Sequence, residues 1–122
     1  MCGMTQLQAP ADDFDWSLNG QSSVRNYGQT GGASNENYMF IESSTSFDHI
    51  NSGDIASIQT PNIGATLGKD VDLNFKYFMY GSHTDTLTVQ IQDVGKLQDP
   101  ETVFEISGEQ HKRYDEWTQV KI

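Results

Sequence analysis

The sequence predicts an all-β protein built as a sandwich or barrel of antiparallel strands, and three observations predict it. Strand signals recur along the chain with turn signals between them, and no long segment carries helical periodicity. The clearest strand is Thr86 to Gln92, where Leu87, Val89 and Ile91 alternate with Thr86, Thr88, Gln90 and Gln92. One face of that segment is apolar and the other polar, the signature of a half-buried antiparallel strand.

Taken in order, the elements are these. Asp12-Asp13-Phe14-Asp15-Trp16 is an acidic segment after Pro10. Residues 17 to 36 are rich in Gly, Asn, Ser and Gln and read as a long surface loop or a short edge strand flanked by loops. Residue 37 opens the part of the chain where strands are expected, and one short helical turn is expected near Asp48 to Ser52. Pro10 and Pro61 lack an amide donor and should end strands or sit at an edge. In Leu73 to Tyr80, Leu73, Phe75, Tyr77 and Met79 form an inward face, while Phe78 and Tyr80 put aromatics on the other, so both faces should be partly covered. Gly81-Ser82-His83-Thr84-Asp85 has turn composition and joins two strands at hairpin distance. Residues 93 to 100, with Gly95 and Pro100, form another break. Strands are expected to cover much of residues 37 to 122, with Leu73, Phe75, Leu87, Val89, Ile91 and Val120 pointing into the space between two sheets.

A chain of 122 residues with 35% apolar residues fits one domain with a modest core. Its 17 acidic and 7 basic residues give a formal charge of −10, which argues against nucleic acid, whose phosphates call for a basic patch. The same balance disfavours anionic membrane surfaces. No apolar run approaches the roughly 20 residues of a membrane-spanning helix, so this segment is expected not to insert into a membrane.

Few residues carry chemistry. The carboxylates of Asp13 and Asp15 share one face of an extended segment, and with Asp54 they offer hard oxygen ligands that suit Ca²⁺; the alternative is a solvated acidic turn. The spacing does not meet the EF-hand rule. His49, His83 and His111 are too far apart for a metal signature and read as surface histidines. No Gly-x-Ser-x-Gly elbow supports a nucleophilic serine, so no enzymatic activity is expected; a glycoside hydrolase on paired carboxylates is the exception held open. Tyr27 and Tyr114 lie in polar stretches and are the candidates for an exposed binding face. The chain has no Asn-x-Ser/Thr sequon.

One ordered series of landmarks spans the sequence. Cys2-Gly3-Met4-Thr5-Gln6 leads into Asp12-Asp13-Phe14-Asp15-Trp16. Then come Asn37-Tyr38-Met39-Phe40-Ile41-Glu42-Ser43-Ser44, Gly53-Asp54-Ile55-Ala56, Leu73 to Gly81, Thr86-Leu87-Thr88-Val89, Ser107-Gly108-Glu109-Gln110 and Trp117 to Ile122. Each piece is short, and their order carries the signal. Together they resemble a MAM domain, the extracellular adhesion module of meprin, the A5 antigen and receptor tyrosine phosphatase mu.

The resemblance implies an antiparallel β-sandwich of jelly-roll type, acting outside the cell or at its surface as a non-catalytic recognition or adhesion module. Its expected partner is a protein, either a homophilic copy, a neighbouring subunit or another chain. The alternatives are a carbohydrate-binding jelly roll and a structural subunit of a surface filament or layer. Trp16 and Trp117 align with family tryptophans, which implies packing roles. Family members carry an Asp-His-Thr turn where this chain has Gly28 to Asn35.

The family also opens with a strand before the Cys2 element and continues beyond the strand at Ile122. The expectation is therefore a single MAM-like domain over residues 1 to 122 that lacks the family's first and last strands. Its open edges would be completed by further residues or by a strand from a neighbouring subunit. Cys2 matches the family's second cysteine, so the resemblance implies a disulfide to a partner outside this sequence. Asp72 stands where the family has its third cysteine.

Overall fold

In the sequence, alternation marks which side chains face inward; in the computed structural model, non-local pairing joins those faces. The structure describes residues 3–19, 38–41, 50–64, 68–112 and 117–122. Within them lie β1 (Thr5–Gln6), β2 (Ser17–Asn19), β3 (Tyr38–Phe40), β4 (Ile58–Gln59), β5 (Asn74–Tyr77), β6 (Thr86–Ile91), β7 (Glu101–Ser107) and β8 (Thr118–Lys121). No helix occurs among the described residues, and every pairing between named strands is antiparallel. The chain divides into two compact units, Met1–Ile63 and Gly64–Ile122.

In the first unit β1 pairs with β4 and β2 with β3. Both pairs are short, and side chains extend them. The Gln6 amide clasps the backbone of Trp16: its Oε1 accepts the Trp16 N–H at 3.2 Å and its Nε2 donates to the Trp16 carbonyl. The Trp16 indole N–H donates to the Ala56 carbonyl at 3.0 Å, so a half-buried Trp spends its one donor on the backbone beside β4. Gly3 adopts φ of +76°, and a Cβ there would come within 3.0 Å of the Pro61 ring. Only glycine meets both conditions without strain.

The second unit is a small sandwich. β5 pairs with β8, placing Phe75 opposite Val120, and mutual 2.9 Å hydrogen bonds between Leu73 and Ile122 extend the ladder by a rung. β6 pairs with β7, placing Leu87 opposite Ile106 and Val89 opposite Phe104. The two sheets meet through Phe104, whose ring lies edge-on to Phe75 at 5.3 Å and tilted against Tyr77 at 5.7 Å. Edge-to-face contact brings the electropositive rim of one ring to the electronegative face of the other. Exposed residues alternate with half-buried ones along β5 (Asn74, Phe75, Lys76, Tyr77), as expected for a strand with one face against a second sheet.

Four expectations need correcting. Residues 81–85 do not close a hairpin: β5 and β6 belong to different sheets, and Gly81, at φ of +101°, turns the chain from one to the other. The hairpin is β6–β7, closed by the break at residues 92–100. Ile91 does not point into the core; it is 54% exposed. The register shifts between Val89 and Gln90, so that Val103 becomes an extra residue in β7 and Ile91 faces Glu101. Cross-strand neighbours share a face, and a charged partner marks the end of the apolar layer. Among the described residues the strands are also shorter than expected, two to seven residues each. Of the helical turn expected near Asp48 to Ser52, residues 50–52 are not helical, and 48 and 49 lie outside the described residues.

Candidate functional site

The acidic segment of the first unit wraps the turn that precedes β4. Asp12 is 6% exposed and its Oδ2 accepts the Ser57 N–H at 3.2 Å. Asp13 binds Ile55 from both ends: its Oδ2 accepts the Ile55 N–H at 2.8 Å, and its own N–H donates to the Ile55 carbonyl at 2.7 Å. Asp54 closes its own turn, its Oδ2 accepting the Asn51 N–H at 2.8 Å. Asp15 is exposed. The three carboxylates proposed as calcium ligands thus lie in one unit, two of them with an oxygen already engaged by a backbone donor. Among the described residues, no three His, Cys, Asp or Glu side chains gather in a group that could hold a metal ion.

The second unit holds a buried polar centre that the sequence did not signal. His111 is 4% exposed, not at the surface as expected. Its Nδ1 accepts the Met79 N–H at 2.9 Å, and its Nε2 lies 2.9 Å from the Thr118 hydroxyl. Because a backbone N–H can only donate, Nδ1 is the acceptor nitrogen, so the neutral ring is the Nε2–H tautomer and donates to Thr118. The Met79 carbonyl accepts the N–H groups of Gln110 and His111 at 3.0 and 2.8 Å. Phe78 stacks on the imidazole at 5.0 Å and Tyr77 meets it edge-on at 5.4 Å. Phe78 also packs against Tyr80 at 6.1 Å and Trp117 at 5.8 Å. The packing role expected for Trp117 is what the structure shows, and half-buried Phe78 and Tyr80 confirm that the second face of their segment is covered.

The outer face of the β6–β7 sheet is polar and laced across the strands. The Thr86 and Ser107 hydroxyls are 2.8 Å apart, Thr88 donates to Glu105 at 3.4 Å, and Gln90 donates to Thr102 at 3.3 Å. At the end of this hairpin, Asp93 organises the loop: its Oδ1 accepts the Gly95 N–H at 3.0 Å, its carbonyl accepts the Lys96 N–H at 3.2 Å, and its Oδ2 pairs with the Lys96 ammonium at 3.4 Å. The Gly95 N–H foremost, and Lys96 with it, hold the Asp93 carboxyl below the ordinary aspartate range.

Asp72 pairs with Lys121 at 2.8 Å across the β5–β8 edge. His83 is exposed, as expected. Cys2, Tyr27, His49 and Tyr114 lie outside the described residues. Among the described residues no helix is long and apolar enough to cross a membrane.

The family model for the MAM domain, meprin/A5/mu, matches residues 1–122. No solved structure matches the chain.

Proposed function

The chain belongs to the MAM domain family, a family of extracellular adhesion-type modules with a jelly-roll fold, and from that membership we propose that it is a non-catalytic recognition module that binds a protein partner outside the cell. The observation that carries this reading is the match of the family model to residues 1–122. Two features of the chain support it. Three polar side chains, Asp12, Asp13 and His111, hold backbone donors in place, the work of a scaffold. The rings of Phe75 and Tyr77 pack against Phe104, and Phe78 packs against His111, Tyr80 and Trp117, instead of forming the exposed flat row that a sugar-binding face uses.

The test is adhesion of beads coated with the chain. Binding to animal cells that protease treatment of the cells abolishes, and glycosidase treatment does not, is the expected result. Aggregation of the beads with one another would make the partner a second copy. Binding lost on glycosidase treatment, or a hydrolytic activity that one point substitution removes, would overturn the reading.

A further inference from the structure

The β6–β7 loop combines features that folding of the sandwich does not require. Val94 is 75% exposed, Leu97 fully exposed and Ile91 54% exposed, so three large apolar side chains within seven residues contribute little to the core. Ile91 ends β6, and Val94 and Leu97 lie in and just after a turn fixed by the Gly95 N–H, the Lys96 N–H and the Lys96 ammonium, all held by Asp93. Apolar groups already fixed in place lose less freedom on binding, which favours association.

Carboxylates surround these side chains. Ile91 lies directly opposite Glu101 in the register, with side chains on one face. From Asp85 to Glu109 the chain carries six carboxylates and a single base, Lys96, a net −5 that is half of the total formal charge of −10. Lys96 is paired with Asp93, so Asp99, Glu101 and Glu105 set the sign of the surface near the loop. A second copy of the same loop would bring like charges together, and an anionic membrane would repel it.

We propose that the β6–β7 loop docks a protein partner whose surface presents an apolar cleft rimmed by lysine or arginine, with Ile91, Val94 and Leu97 entering the cleft and Asp99 and Glu101 meeting the rim. This rests on the recognition reading above and assigns its contact surface.

The probe is a synthetic peptide alternating lysine and leucine, titrated into the isotope-labelled 122-residue chain and followed by amide chemical shifts. The expected result is perturbation centred on residues 91–101, with Val94→Ser/Leu97→Ser weakening binding by on the order of tenfold or more. Asp99→Asn/Glu101→Gln should weaken it as well and flatten its salt dependence. The exposed positions keep the serine variant folded, which its melting temperature checks. A lysine–serine peptide that binds equally well, shifts centred elsewhere, self-association that the serine variant removes, or binding to phosphatidylcholine vesicles would each overturn the assignment. The adhesion assay separates the two readings: if wild-type and serine-variant beads adhere to cells equally, the recognition module stands and the loop is not its contact.

Discussion

The carboxylate of Asp12 is buried and accepts the Ser57 N–H, whereas Asp15, three residues along, is exposed. Removing an acceptor from a part-buried donor costs some of that donor's desolvation, so Asp12→Ala should destabilise the chain by about 1 kcal/mol or more in urea titrations. Asp15→Ala should change it by no more than about 0.5 kcal/mol. The His111 ring should show the Nε2–H tautomer in nitrogen-15 spectra recorded at mildly alkaline pH, because Met79 presents a donor to Nδ1. An Nδ1–H signal there would refute that hydrogen bond. Asp93 carries a depressed carboxyl pKa, so whatever its turn contributes is present above the ordinary aspartate value and is lost as pH falls through the lower, folded value. Its carboxyl carbon should titrate below the usual aspartate midpoint, and Lys96→Ala should move the midpoint partway back up.

Among the elements, β7 carries the sandwich of the second unit, because Phe104 meets both Phe75 and Tyr77 across the sheets. Phe104→Ala removes both ring contacts and opens a cavity, at a cost of about 2–4 kcal/mol. Val89→Ala, directly opposite in the ladder, should cost on the order of 1–2 kcal/mol. Ile91→Ala, two residues further along the same strand, should stay within about 0.5 kcal/mol, since the register shift and Glu101 place it beyond the apolar layer. Equal losses at positions 89 and 91 would show that the shift at Val89 and Gln90 is absent in solution.

For the whole molecule, a formal charge of −10 over 122 residues makes self-repulsion a standing cost of the compact state. Raising NaCl from about 10 to about 200 mM screens that repulsion and should raise the melting temperature by a few degrees. The same series run with CaCl₂ at matched ionic strength tests the proposal of a calcium site at Asp13, Asp15 and Asp54. An increment beyond screening that Asp15→Asn abolishes establishes the site; superimposed curves leave Asp13 and Asp54 to their turns.

The sequence by itself determined which faces are apolar, because a strand alternates with a period of two wherever it lies. Leu87, Val89, Phe75 and Val120 are half-buried as their alternation requires, and the ordered landmarks carry the family. What alternation cannot carry is the identity of the partner strand. The segment at residues 81–85 has the composition of a hairpin, yet β5 pairs with a strand some forty residues away, because pairing follows the fit of whole faces between sheets. His111 eluded sequence reading for the same reason: its acceptor nitrogen is satisfied by an amide 32 residues distant, and no local pattern records that contact. Burial and hydrogen-bond partnership are properties of where the chain returns to itself, and only the tertiary structure decides them.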